Sequence, residues 1–305
     1  MEHRDIYKAV SDRIIAALEA GDVAPWQRPW KLSGGFPVNI KNGRHYRGVN
    51  VLLLMLEGYD DPRWGTYKAI QGAGGQVRKG EHHTQIVFWK RVERKNPKEG
   101  EDRAYRMLRT YQVFNAKQAD GLPDLPVEVE REFTPIQEAE RIVDGYVWTS
   151  GSMADGPRVK VGYDRAAYSL REDSIEMPRP QQFVSDEAYY TTLFHELVHS
   201  TGAEKRLKRI EPALFGSDPY AREELVAEVG ASFLGGIAGF ESAGGDESAA
   251  YVSGWLEKIK QDPKLVVQAA AQAQKAADLI LGTTFEEPPV ETEVPDPVLA
   301  LTPSV

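Results

Sequence analysis

The residues best suited to chemistry are His195-Glu196-Leu197-Val198-His199. On a helix, positions i and i+4 share a face, so both imidazoles can reach one metal ion. Glu196 stands beside them, placed to act as general base toward water that such an ion activates. Tyr190, Leu193, Phe194, Leu197 and Val198 make the surrounding segment a largely buried helix. Two histidines satisfied inside a core are the plain alternative. Neither they nor an ion that merely pins two helices would need a glutamate between the ligands.

The remaining ligand is narrowed by elimination. Cysteine is absent and His199 is the last of six histidines, so thiolates and a later third histidine are excluded. A carboxylate must complete the site, as in gluzincin-type zinc metallopeptidases. The next helical segment offers Glu223-Glu224-Leu225-Val226-Ala227-Glu228. Leu225, Val229 and Phe233 mark its core stripe, which leaves Glu224 and Glu228 together on an adjoining face. Gluzincins present a Glu-x-x-x-Asp or Glu-x-x-Ala unit here, and by that resemblance Glu224 is the expected ligand, with Glu228 accepting the second ring N–H of a ligand histidine. Glu228 or Glu223 as ligand stays open, because spacing does not determine helix phase. The expected cofactor is one divalent ion, zinc first among the candidates. Turnover does not follow from ligands alone. No spacing marks a group that would polarise a substrate carbonyl, and Tyr220 and Arg222 are merely the nearest in sequence.

A second constellation lies upstream. Residues 1–118 hold 21 of the 37 Lys+Arg and 13 of the 46 Asp+Glu, a net of +8 inside a chain whose total is −9. The same stretch holds four of the six tryptophans. Single-strand binders combine cations for phosphates with aromatic faces for unstacked bases. The candidate contacts are Trp26, Trp30, Arg44, Tyr46, Arg47, Lys68, Arg78, Lys79, Trp89 and Arg91. Alternation through Val87, Trp89 and Arg91 predicts one sheet face presenting Trp89 with Arg91. The glycine-rich run 71–80 could turn backbone N–H groups toward a phosphate, although it lacks the Walker order. Any one of these aromatics is ordinarily a core residue. Together with the charge they point to single-stranded DNA, with duplex DNA second.

The elements that must position these groups are legible from periodicity. Ile6, Val10, Ile14, Ile15 and Leu18 predict a helix stopped by Gly21, and Asn42-Gly43 predicts a hairpin turn. Short helices are expected at 49–56 and 66–71, and a hairpin of strands 84–92 and 105–114. Downstream, a helix from Thr134 precedes short strands at 158–161, 167–170 and 174–177. Helices follow at 185–200, 219–234 and 249–280, the last broken at Asp262-Pro263. Both units read as α+β. The predicted organisation is a basic domain at 1–120, a linker at 121–133, a metal domain at 134–282 and a disordered acidic, Pro-rich tail at 283–305. The longest aliphatic run, Val51 to Leu56, is six residues, against about 20 for a membrane span. With no secretory signal and no cysteine, the expectation is a cytoplasmic protein without a membrane partner.

The order of several unusual pieces resembles the ArdC/TraC-type antirestriction proteins of conjugative plasmids. They are DIYKAVSDRIIAALEAGDVAPWQRPW, Gly48-Val49-Asn50, WGTYKAIQGAGGQVRKGE, YQVFNAKQ, HELVHSTG and REELVAE, spread over about residues 4–280. The resemblance implies an N-terminal domain that binds single-stranded DNA without marked sequence preference, and a C-terminal zincin-like metallopeptidase domain. It implies protection of incoming plasmid DNA from host restriction, in donor or recipient bacteria, with a restriction enzyme or protein substrate as further partner. Carried onto this chain, His195 and His199 are metal ligands, Glu196 is the catalytic glutamate and Glu224 the third ligand. No feature of the sequence links the protease-type motif to the DNA role.

Overall fold

The computed structural model describes residues 3–19, 36–94, 103–123, 135–147, 155–210, 218–239 and 249–283. In the first domain, α1 (His3–Glu19) buries Ile6, Val10, Ile14 and Leu18, the stripe expected of an amphipathic helix. All seven residues of α2 (Val49–Met55) are buried. Four strands form one sheet in the order β1 (Val38–Asn39), β2 (Arg63–Gly65), β5 (Arg103–Asn115), β4 (Thr84–Arg94). The long antiparallel β4–β5 hairpin is its main feature. Asn50 of α2 treats the edge of β4 as a neighbouring strand would. Its side-chain amide donates to the Val87 carbonyl at 2.7 Å and its oxygen accepts the Val87 N–H at 2.8 Å. A buried polar side chain is thereby satisfied and an exposed sheet edge is covered.

The remaining elements here are α3 (Tyr67–Gly72), capped by Thr66, and a small ribbon of β3 (Gln76–Val77) with β6 (Ala119–Asp120). Asn42-Gly43 does form a tight turn, with Gly43 at φ +67°. The flanking segments meet in one antiparallel bridge, Val38 to His45, and β1 also pairs in parallel with β2. Both edges of β1 are used: the Asn39 N–H donates to the Arg44 carbonyl and the Tyr46 N–H to the Pro37 carbonyl across the turn, each at 2.8 Å, while Val38 and Ile40 bond toward β2.

In the second domain, α4 (Pro135–Tyr146) precedes a three-stranded sheet. Its order is β7 (Arg158–Val161), β9 (Ser174–Met177), β8 (Ala167–Ser169), so β8 lies on an edge. Four helices follow: α5 (Asp186–Thr201), α6 (Asp218–Ala238), α7 (Ala249–Gln261) and α8 (Leu265–Ile280). Ser185 caps α5 by accepting the Ala188 N–H. At the α7–α8 break the Asp262 carboxylate accepts the Lys264 N–H at 3.0 Å. Helices α5 and α6 approach closely because position 230 has no side chain. A Cβ on Gly230 would stand 2.7 Å from Val198 Cγ2.

The chain is thus a two-domain α+β protein, yet the two domains share one hydrophobic core. Side chains of α1 and α2 join those of α5 to α8 in a continuous buried cluster. Polar ties run along the same seam. Ser11 donates to the Pro263 carbonyl at 2.7 Å, the Gly48 N–H donates to Gln274 at 3.0 Å, and Arg47 pairs with Asp278. Helix α8 therefore belongs to the packing of both domains. Residues 124–133 of the expected linker and all but Thr283 of the expected tail lie outside the described residues. No helix among the described residues is long and apolar enough to cross a membrane.

Candidate metal centre

Helix α5 places His195 and His199 one turn apart, and their Nε2 atoms converge to 3.1 Å. Helix α6 brings Glu224 against them. Its carboxylate oxygens lie 3.5 Å from His195 Nε2 and 3.7 Å from His199 Nε2. Tetrahedral ligands about 2.0–2.1 Å from an ion stand about 3.3–3.4 Å from one another, so this triangle fits one divalent cation. His195, His199 and Glu224 form a group whose ligand atoms all lie within 4.8 Å. Of the three carboxylates open from the sequence, Glu224 is the one that faces both imidazoles.

The surroundings prepare these ligands. His199 Nδ1 lies 3.0 Å from Glu223 Oε1. A carboxylate can only accept, so Nδ1 carries the proton and Nε2 keeps its lone pair for an ion. Glu223 is itself gripped by Arg209, whose Nε and Nη2 donate to its two oxygens at 2.7 and 2.8 Å. Burial alone would raise the Glu223 pKa, but Arg209 and His199 hold it below its ordinary value. Burial likewise favours neutral His195, yet the carboxylates of Glu224, Glu196 and Glu228 raise its proton affinity. Glu224 is pushed up by burial and pulled lower overall by the two histidines and Tyr220. Glu223 rather than Glu228 thus partners the second ring nitrogen of His199, and Glu228 acts on His195 through its charge. The helix phase explains the exchange. Glu223 and Glu224 straddle the His199 ring, whereas Glu228 lies one turn further along α6.

Glu196 is 8% exposed, and its Oε2 accepts the Tyr168 backbone N–H at 2.7 Å. Edge strand β8 thus fixes the carboxylate beside the two histidines. The two residues near in sequence part company. Tyr220 hydrogen-bonds Glu224, and burial with that negative charge pushes its phenol up to about 12. Arg222 instead donates to Asp262 at 2.7 Å, away from the ligands. Arg209 and the Tyr168 N–H carry no sequence signal, since one sits on a loop and the other is main chain.

Residues 4–114 match the family described as the N-terminal domain of anti-restriction factor ArdC, and residues 152–272 match a zincin-like metallopeptidase family. The metal-free crystal structure of antirestriction ArdC protein from the R388 plasmid has a TM-score of 0.71 to this chain at 37% identity. The match covers 90% of this chain and 96% of that one. The chain belongs to the ArdC antirestriction family. The Mn(II)-bound structure of the R388 protein matches at 36% identity over 90% of this chain and 97% of that one, with a TM-score of 0.70. An uncharacterized protein of Sinorhizobium fredii, y4eC, is 37% identical over 90% of this chain and 91% of its own length. DNA primase TraC of Escherichia coli is 38% identical over 95% of this chain, which spans 28% of that primase.

In this ArdC-family chain the expected DNA contacts scatter. Trp26 and Trp30 lie outside the described residues, as do the side chains of Trp89 and Arg91. Arg44, Lys68 and Lys79 are exposed. Tyr46 is corrected to a core residue: it is 4% exposed, packs with Leu54, Trp64, Ile86 and Val113, and cannot stack a base from there. Arg47 is committed to Asp278 across the domain seam. Arg78 donates to Glu81 at 2.7 Å, to the Lys117 carbonyl at 2.6 Å and to Asp120 at 3.4 Å. The glycine-rich run is corrected too. The N–H groups of Ala73, Gly74 and Gly75 close the end of α3 on the carbonyls of Ala69, Gln71 and Ile70, so none of the three is offered to a phosphate. Of the expected sheet face, Val87 turns into the core beneath α1 and α2, while Phe88 next to it is 43% exposed.

Proposed function

We propose that this chain is an antirestriction factor whose first domain binds single-stranded DNA, and whose second domain holds one divalent ion, zinc in the first instance, on His195, His199 and Glu224. The observation that carries the reading is the near-complete match to R388 ArdC, which includes both domains in one chain. The basic balance of residues 1–118 supports the DNA assignment, duplex DNA being a secondary partner. A protein of the host restriction system is the further partner this role requires. An ion held at the three ligands would supply Lewis acidity toward a carbonyl or water. The protein's own contribution would be a carboxylate, Glu196, oriented by the Tyr168 N–H to take up a proton.

That carboxylate favours a second reading, a zinc metallopeptidase directed to protein substrates on DNA, since a purely structural site needs no such group. Restriction protection in cells by Glu196→Ala separates the two. Unchanged protection supports the DNA-binding factor. Lost protection with metal retained supports the peptidase.

A further inference from the structure

The β4–β5 hairpin carries a net positive charge, with the loop between its strands adding Glu99, Glu101 and Asp102 as well as Lys95 and Lys98. Its strands hold Lys90, Arg91, Arg94, Arg103, Arg106 and Arg109 against the single acid Glu93. The register sets Arg91 directly opposite Arg106 and Arg94 directly opposite Arg103. The base of the ribbon is firmly held, with Ile86 and Val87 buried and Asn50 bonded along its edge. Just beyond that anchor, Phe88 is 43% and Tyr111 41% exposed, their rings 5.6 Å apart and edge to face. Exposed Arg109 is the register partner of Phe88.

We propose that this ribbon is the surface that takes single-stranded DNA, with bases on Phe88 and Tyr111 and phosphates on Arg109 and the distal cations. The inference rests on the single-strand reading above and gives it an address. Two observations favour the ribbon over the other basic aromatic feature, a cleft of about 590 Å³ lined by Tyr67, Arg78, Lys79, Phe114, Glu81 and Asp120. The two acids there neutralise the two bases, and Arg78 is already spent on internal partners. Exposed rings also favour single strands over duplex, because duplex bases are stacked on one another and leave no face for them.

The test is fluorescence anisotropy on the full chain with an oligonucleotide of about 20 nucleotides, single-stranded or as duplex, over a range of salt. Phe88→Leu with Tyr111→Leu keeps apolar bulk and removes the π faces. It should lower single-strand affinity roughly 10- to 100-fold with little change in salt slope. Arg106→Ala with Arg109→Ala should weaken binding and flatten the slope by about 0.7 for each phosphate no longer neutralised. Unchanged melting temperatures would confirm that both variants fold. Wild-type affinity in both ribbon variants, with weakened binding in Tyr67→Leu or Lys79→Ala, would overturn the ribbon and move the site to the cleft. Equal weakening on duplex and single strand would overturn the stacking assignment. A wild-type chain that binds no single strand would instead overturn the underlying reading.

Discussion

Arg209 holds both carboxylate oxygens of Glu223, at 2.7 and 2.8 Å, and through Glu223 it sets the proton on His199. The same guanidinium donates to the Val198 carbonyl at 2.9 Å and to Thr201 Oγ1 at 3.0 Å, so it also closes the last turn of α5. Its approach depends on Gly202, where a Cβ would stand 2.5 Å from Ile210 Cγ1 and 3.2 Å from Arg209 Nη2. The glycine that ends HELVHSTG is thereby tied to the metal site through packing.

Glu223→Gln should lower metal affinity about 10- to 100-fold. The amide oxygen can still accept from Arg209, but its N–H would face His199 Nδ1 and drive the proton onto Nε2, where the ion must bind. Competition against a chelator measures this. Wild-type affinity in Glu223→Gln would mean that the carboxylate does not set the tautomer.

The three ligands and Glu196 should separate cleanly. His195→Ala, His199→Ala and Glu224→Ala should lose the ion, whereas Glu196→Gln should keep it. At free metal about 100 times Kd, the wild type should gain about 2.7 kcal/mol of stability and the ligand variants close to none. Thermal melts with and without Zn(II) or Mn(II) read the difference. Retained stabilisation in Glu224→Ala would return the choice to Glu223 or Glu228.

Gly230→Ala should cost about 1–3 kcal/mol, because Val198 is β-branched and cannot swing away from the new methyl. The displacement of α6 moves Glu224 away from the histidines, so metal affinity should fall as well. Chemical denaturation and chelator competition report the two effects separately. A stable variant with wild-type affinity would show that α5 and α6 have slack at this crossing.

Acid should remove a contribution centred on Asp173. Burial pushes the Asp173 pKa up, but Arg206, the Tyr168 hydroxyl and Lys205 outweigh it and bring the value to about 2, below the usual 3.8. A depressed carboxylate pKa stabilises fully above about pH 4, and that contribution disappears as pH falls toward 2. After solvent screening of a partly exposed group it is on the order of 1 kcal/mol. Asp173 sits at φ +48°, which asparagine tolerates, so Asp173→Asn isolates the charge. The stability gap between wild type and Asp173→Asn should be present at pH 6 and close near pH 2. A gap of constant size would assign it to packing.

Much of this architecture was local information. The helix with two histidines one turn apart, the hairpin at 84–92 and 105–114 and the α5–α8 order follow from periodicity, because each depends on residues a few positions apart. Elimination of cysteine and of later histidines reduced the third ligand to three glutamates. Tertiary structure brought Glu224 against both imidazoles, since α6 packs on α5 closely where Gly230 meets Val198. It also decided where β4 leaves the core: Ile86 and Val87 are buried on opposite faces, and exposure begins at Phe88. Tyr46 was drawn into a second cluster with Leu54, Trp64, Ile86 and Val113, and Arg209 reached Glu223 from a loop whose path no pattern encodes. Short-range spacing dictates what an element is, and contacts between residues far apart in the chain dictate which way it faces.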